Sequence, residues 1–206
     1  VYSATLAIEA GFDGVELHGA NGYLLEQFLN ANVNTRTDAW GGQPAARNRF
    51  VLDVARAVGG AIGAERVGIR LSPLGTFNAT GSFVGVEEQL LALAHALGAM
   101  KLAYLHVVDH SSMGAPKVPA ELKAGLHQAF GGVFIRSGGL SKALAEHSLV
   151  EHEADLVAFG RAALANPDLA ERLADNQTLN VPDMATFYTP GAKGYTDYPA
   201  LAATAA

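Results

Sequence analysis

The chain has 206 residues, half of them hydrophobic, with 14 Lys and Arg against 20 Asp and Glu for a net charge of −6. That apolar share is ample for one large or two small packed domains, while the acidic balance and the lack of a basic block argue against nucleic acid or an anionic membrane as partner. The chain has no cysteine, which excludes disulfides, thiolate nucleophiles and Cys-based metal sites; with no run near the ~20 apolar residues of a membrane span and no signal-peptide pattern, the cytoplasm is the expected location.

The first ten residues, VYSATLAIEA, read as the closing turns of a helix, and they begin at Val1 rather than Met. That is an abrupt opening for a complete domain. Asp13 to His18 follows as the first strand, with Glu16 and His18 on one face and Val15 and Leu17 on the other, because strand side chains alternate with period two. Asn21 and Tyr23 stand three and five residues beyond His18, so a tight turn gathers three polar tips at the strand's C-terminal end, where parallel α/β folds bind ligands. The competing reading of an isolated HxxN is a satisfied core histidine beside a turn asparagine.

A helical pattern over Ala46 to Ile62 leads to the second strand, Arg66 to Leu71. Arg70 lies in its otherwise apolar run, and a buried guanidinium is costly unless paired. It points either to an ion pair with Glu16 on the neighbouring strand or to an anionic or carbonyl-rich ligand above the strands. A helix over Val86 to Leu97, with Glu87 and Glu88 in its first turn, precedes the third strand, Ala103 to Val108. His106 and His110 are spaced i, i+4, which converges on a metal from a helix but not from a strand. Both read as structural, with His106 a candidate to line the pocket, and no metal site is expected.

After a helix over Ala120 to Ala129 comes the fourth strand, Gly132 to Ser137, which ends in Gly138 and Gly139 before a helix over Ser141 to Val150 capped by Ser141. His147, Glu151, His152 and Glu153 read as a solvated helix end. The fifth strand, Asp155 to Phe159, ends in Gly160 and Arg161; Asn166-Pro167 then predicts proline at N1 of a helix running to Leu173. Glycines admit a phosphate to the backbone amides, helix N-termini add positive potential, and Arg161 offers a bidentate fork. Two such loops after the final strands match the phosphate site of (β/α)8 barrels; the alternative is two ordinary glycine turns with Arg161 on the surface. The tail TFYTPGAKGYTDYP, Thr186 to Pro199, is expected to be ordered coil, and LAATAA to fray.

Strands and helices in alternation define an α/β fold with right-handed crossovers. Five βα units are too few for an eight-unit TIM barrel of typically about 250 residues and more than a half-barrel. Either the sheet is open or the first three units are absent from this chain.

Taken together, AGFDGVELHGANGYLLEQFL, NTRTDAWGG, VGIRLSP, AYLHVVDHSS, RSGGL, DLVAFGRAALANPDL and TFYTPGAKGYTDYP resemble, in order and spacing, the C-terminal part of the Old Yellow Enzyme family of flavoprotein ene-reductases. The resemblance covers nearly the whole chain. It implies that residues 1–206 are the C-terminal portion, strands four to eight, of a single FMN-binding (β/α)8 TIM-barrel domain that reduces α,β-unsaturated carbonyl or nitro compounds with NADH or NADPH. By the same analogy His18 and Asn21 would hold the substrate oxygen and Tyr23 would protonate the α-carbon. Arg70 would face the flavin's N1 and C2 carbonyl edge, Gly138, Gly139, Gly160 and Arg161 would hold the FMN phosphate, and Phe187 with Tyr188 would close the site beside flavin and substrate.

Two departures stand out. The family's GGSxENRxRF is replaced by GGQPAARNRF, losing an acid and an amide at Ala45 and Ala46, which bears on how that loop is anchored. The family's first three units, which carry flavin contacts of their own, have no counterpart here. The alternatives are a truncated, non-catalytic barrel remnant, a half that needs a partner chain, and another phosphate-binding barrel of the aldolase type. The last lacks a catalytic lysine at a strand end, since Lys101 precedes its strand and Lys142 sits on a helix. A homo-oligomer is compatible with the sequence but not specified by it.

Overall fold

The computed structural model describes residues 1–201 and divides into two compact units, Val1–Val157 and a second from Ala158 onward. In the first, β1 (Val15–Gly19), β2 (Val67–Leu71), β3 (Tyr104–Val108) and β4 (Val133–Ser137) pair in parallel, and β5 (Leu156–Ala158) at the unit boundary extends the sheet. Strand order follows chain order. Each helix therefore returns the chain to the adjacent position, as in a barrel and unlike a doubly wound sheet.

The helices are α1 (Tyr2–Glu9), α2 (Leu24–Leu29), α3 (Pro44–Ile62), α4 (Val86–Ala99), α5 (Ala120–Phe130) and α6 (Lys142–Val150). Their apolar faces cover one side of the sheet: Ile69, Leu71, Leu105, Val107 and Phe134 meet Val51, Leu93, Leu97 and Leu126, all at most 1% exposed. Fully burying such side chains stabilises by roughly 1.5–3 kcal/mol each. The opposite face is polar. Register sets His18 beside Arg70 and Arg70 beside His106, so three chemistry-bearing groups form one row across three strands.

All five strands fall where the alternation places them, and Ser141 caps α6 by accepting from the Leu144 amide at 3.3 Å. The solvated end expected of α6 needs one correction. Glu153 is held by an ion pair to Arg136 and faces the Ser148 hydroxyl at 3.3 Å, because Arg136 on the helix side of β4 requires a carboxylate. The loop that lost its acid and amide at Ala45 and Ala46 is anchored by other means. Arg47 donates to the Gly42 carbonyl and to Gln89 Oε1, and its guanidinium lies 5.2 Å from the Phe83 ring centroid.

In the second unit α8 (Leu169–Ala174) is the helix expected from Pro167, and a short α7 (Arg161–Ala165), not expected from the sequence, precedes it. Pro167 is not at N1. It lies between them, with Asp168 as the N-cap of α8, because Asn166 is spent on a different bond: its Oδ1 accepts from the Asn180 amide at 2.7 Å. The tail is ordered coil as expected, tied down where Arg172 donates to the Pro199 carbonyl at 2.8 Å and the Asp183 amide donates to the Tyr198 hydroxyl at 2.7 Å. The expected fraying of LAATAA lies, beyond Leu201, outside the described residues.

Candidate active site

The C-terminal end of β1 runs into a turn in which the Tyr23 amide donates to the Ala20 carbonyl at 3.2 Å, with φ of 61° at Asn21 and 69° at Gly22. Two successive positive φ values are the Asn-Gly signature of a type I′ turn, and a side chain at position 22 would also collide with the Phe77 carbonyl. The turn folds Tyr23 back over the strand. Its ring centroid lies 5.3 Å from that of His18.

Asn21 is fixed from both ends. Its Oδ1 accepts from Arg70 Nη1 at 2.8 Å, and its backbone amide donates to Ser72 Oγ at 2.8 Å. The first bond determines the orientation of the side-chain amide: with Oδ1 occupied by a cation, Nδ2 is the end free to donate outward. Arg70 forms no ion pair among the described residues. The sequence alternative of a direct Arg70–Glu16 bridge is corrected here, because Glu16 is taken by His106 Nδ1 at 2.9 Å while His106 Nε2 meets Ser137 Oγ at 2.7 Å.

The charges act on one another across this face. Burial pushes the Glu16 carboxyl up, but bonds from His106 and Tyr104 and the nearby cationic charge more than offset it, leaving it below its ordinary value. His18 is held below the usual imidazole value by burial and by the Arg70 charge, so its neutral form is favoured. Burial lowers the Arg70 pKa against the pull of Glu16 and Glu26. The result is a half-buried cation with one neutral hydrogen-bond partner, next to a neutral imidazole, an outward amide and a phenol.

At the end of β4, Gly138 and Gly139 have φ of 105° and 68°, and a side chain at either would strike the Asp109 backbone or Ser112. Both positions therefore require glycine, for the left-handed backbone and for the close packing of Asp109 and Ser112 against it. A concavity of about 1670 Å³ lies between α5 and α6. It reaches Gly138 and Gly139 but is lined by none of His18, Asn21, Tyr23 or Arg70, so it is not where the polar row faces. Gly160, Arg161, Phe187 and Tyr188 belong to the second unit. There Gly160 precedes α7, Arg161 opens it, and Tyr188 is almost fully exposed, at 97%. Among the described residues no three His, Asp or Glu side chains cluster to hold a metal.

Sequence reasoning missed the groups behind the turn. Glu26 and Ser72 are 7% and 3% exposed and hydrogen-bonded to each other and to the turn's amides. An acidic residue within the apolar run LLEQFL was the available signal.

A parallel sheet in sequential strand order with a polar row at its strand ends is the architecture of part of a (β/α)8 barrel. Residues 1–180 match the family model described as NADH:flavin oxidoreductase / NADH oxidase, and the chain belongs to that family. It is 42% identical to 12-oxophytodienoate reductase 7 of Oryza sativa subsp. japonica over 97% of its own length and 54% of the relative's. It is 43% identical to a probable flavin mononucleotide-dependent alkene reductase of Leishmania infantum, over 96% and 53%. A morphinone reductase solved in complex with tetrahydroNAD superposes with a TM-score of 0.90 at 41% identity, over 98% of this chain and 54% of that one. The chain spans about half the length of the relatives it matches.

Proposed function

We propose that the five βα units are units four to eight of one FMN-binding (β/α)8 barrel domain, and that the whole protein reduces the C=C bond of α,β-unsaturated carbonyl or nitro compounds with NADH or NADPH. The observation that carries this reading is the convergence of His18, Asn21 and Tyr23 on one turn beside Arg70, with the Asn21 amide oriented to donate. The donor set fits the cofactor. Arg70, lacking an ion pair among the described residues, suits an electron-rich ring edge, and the Gly138-Gly139 turn at the end of β4 is the proposed phosphate loop. Gly160 and Arg161 are assigned to the same phosphate, and Phe187 with Tyr188 to the flank of flavin and substrate.

When bound, FMN would carry hydride from the nicotinamide to the substrate's β-carbon. The chain's own residues do the remaining work. His18 Nδ1–H or Nε2–H and Asn21 Nδ2–H bind the carbonyl or nitro oxygen, where negative charge develops; donors already in place at that point need no reorganisation, and a missing one typically costs ~3 kcal/mol. Tyr23 holds a proton above the same turn, placed for the α-carbon. Small activated alkenes are therefore the proposed partners, with nucleic acid and membranes outside the reading. No helix among the described residues is long and apolar enough to cross a membrane, and the cytoplasm is the proposed location.

One observation favours a second reading. Among the described residues β1 pairs only with β2, leaving its other edge open, and in this reading the chain would act as a half that closes its barrel with a complementary chain. The chemistry is tested by enone-dependent NADPH oxidation with cyclohex-2-enone. Tyr23→Phe should slow turnover by about 10²- to 10⁴-fold, the range for loss of a positioned proton donor, and His18→Ala should lower kcat/KM by about 10²-fold. Wild-type rates in both variants would refute the assignment.

A further inference from the structure

The turn that carries His18, Asn21 and Tyr23 is held from behind by a buried carboxylate. Gly22 N–H donates to Glu26 Oε2 at 2.5 Å, Ser72 Oγ lies 2.9 Å from both Glu26 oxygens, and the same hydroxyl accepts the Asn21 N–H at 2.8 Å. Glu26 comes from the first turn of α2 and Ser72 from just past β2, so the clamp joins segments 46 residues apart. The Gln27 side chain adds a bond to the Gly22 carbonyl at 2.7 Å, and Asn78 one to the Asn21 carbonyl at 3.2 Å.

A carboxylate this deep is costly to keep, and burial pushes the Glu26 carboxyl upward against the pull of its donors and of Arg70. Core packing alone would favour leucine at this position. What leucine could not do is accept the donors. In a turn with two successive positive φ values both central amides point to the same side, and here that side is the protein interior. Without an acceptor they are satisfied only if the turn rotates outward to water, and that rotation would move Asn21 off Arg70 and Tyr23 off His18.

We infer that Glu26, acting through Ser72, is a positioning residue that locks the His18–Tyr23 turn in its left-handed shape and so sets the angles at which His18 and Asn21 meet the substrate oxygen and Tyr23 meets the α-carbon. This rests on the reading of that turn as the substrate grip. Glu26 touches no substrate; it acts through two backbone amides. Glutamine retains the needed pattern, since its oxygen accepts from Gly22 and its amide nitrogen donates to Ser72 Oγ. The requirement is for a hydrogen-bond acceptor of this length, not for charge.

Residue-resolved amide hydrogen exchange on the purified chain, without flavin or substrate, tests the lock. Glu26→Ala should accelerate exchange at Asn21 and Gly22 at least tenfold while amides of β2 and β3 keep wild-type protection. Glu26→Gln should keep both slow, and Ser72→Ala should release Asn21 alone. With FMN, NADPH and cyclohex-2-enone, kcat/KM should fall at least tenfold in Glu26→Ala and recover in Glu26→Gln. Unchanged exchange at Asn21 and Gly22, protection lost across β2 and β3 alike, or Glu26→Gln behaving like Glu26→Ala would each overturn the inference. Should Glu26→Ala fail to fold, Ser72→Ala decides alone, by whether Asn21 is released with Gly22 still protected. A wild-type chain that turns over no enone would count against the proposed function and leave the exchange result standing.

Discussion

Arg70 shows what one residue's environment can decide. Sequence physics left it two partners, a carboxylate or a ligand, because a cation in an apolar strand demands one of them. The structure removes the first by engaging Glu16 with His106 and Tyr104, and gives Arg70 a neutral amide oxygen instead. The same row yields a pH prediction. The Tyr104 phenol, desolvated and beside the Glu16 charge to which it is hydrogen-bonded, is pushed up to about 12. A folded-state value above the ordinary phenol's ~10 means that Tyr104 contributes stability in full below about pH 10 and loses it as pH rises through about 12. The absorbance difference between wild type and Tyr104→Phe should therefore show a phenolate appearing near pH 12. A phenolate near pH 10 would mean that the Glu16 contact is not made.

At the scale of elements, the strands were legible because each is a short Val-, Ile- or Leu-rich run bounded by glycine or a helix signal, the pattern of parallel strands covered on both sides. What escaped was short or non-local. α2 has six residues and opens on Tyr23, inside the turn that drew attention for its chemistry, so its helical character had too few residues to show a period. α7, five residues long, was missed for the same reason, and Pro167 was misplaced because an Asn-Pro pair reads as a helix start whether or not the asparagine is occupied elsewhere. The candidate site divides the same way. His18, Asn21, Tyr23, Arg70 and the Gly138-Gly139 loop were proposed from local pattern and resemblance, while the Glu26–Ser72 clamp and the Glu16–His106–Ser137 row require register between strands that no single window contains. The core between sheet and helices carries its own prediction. Leu105, fully buried on the helix-covered face of β3, should cost about 2–5 kcal/mol when cut to alanine, read as a lower urea midpoint with little change in slope. A loss under ~1 kcal/mol would mean that the helices do not pack on β3 as described.

For the molecule as a whole, the sequential strand order and the match to about half of each relative describe a segment of a barrel rather than a free-standing open sheet. Under the proposed function the cofactor of the complete barrel is a flavin reduced by nicotinamide and reoxidised by an activated alkene. The most direct measurement is the visible spectrum of the purified protein with added FMN, taken without oxygen, before and after NADPH and then cyclohex-2-enone. The account predicts a protein-bound flavin band that bleaches with NADPH and returns on addition of the enone, in the chain itself or in its assembly with the complementary barrel units. FMN that remains free in both cases, or bound flavin that NADPH bleaches but the enone does not restore, would contradict it.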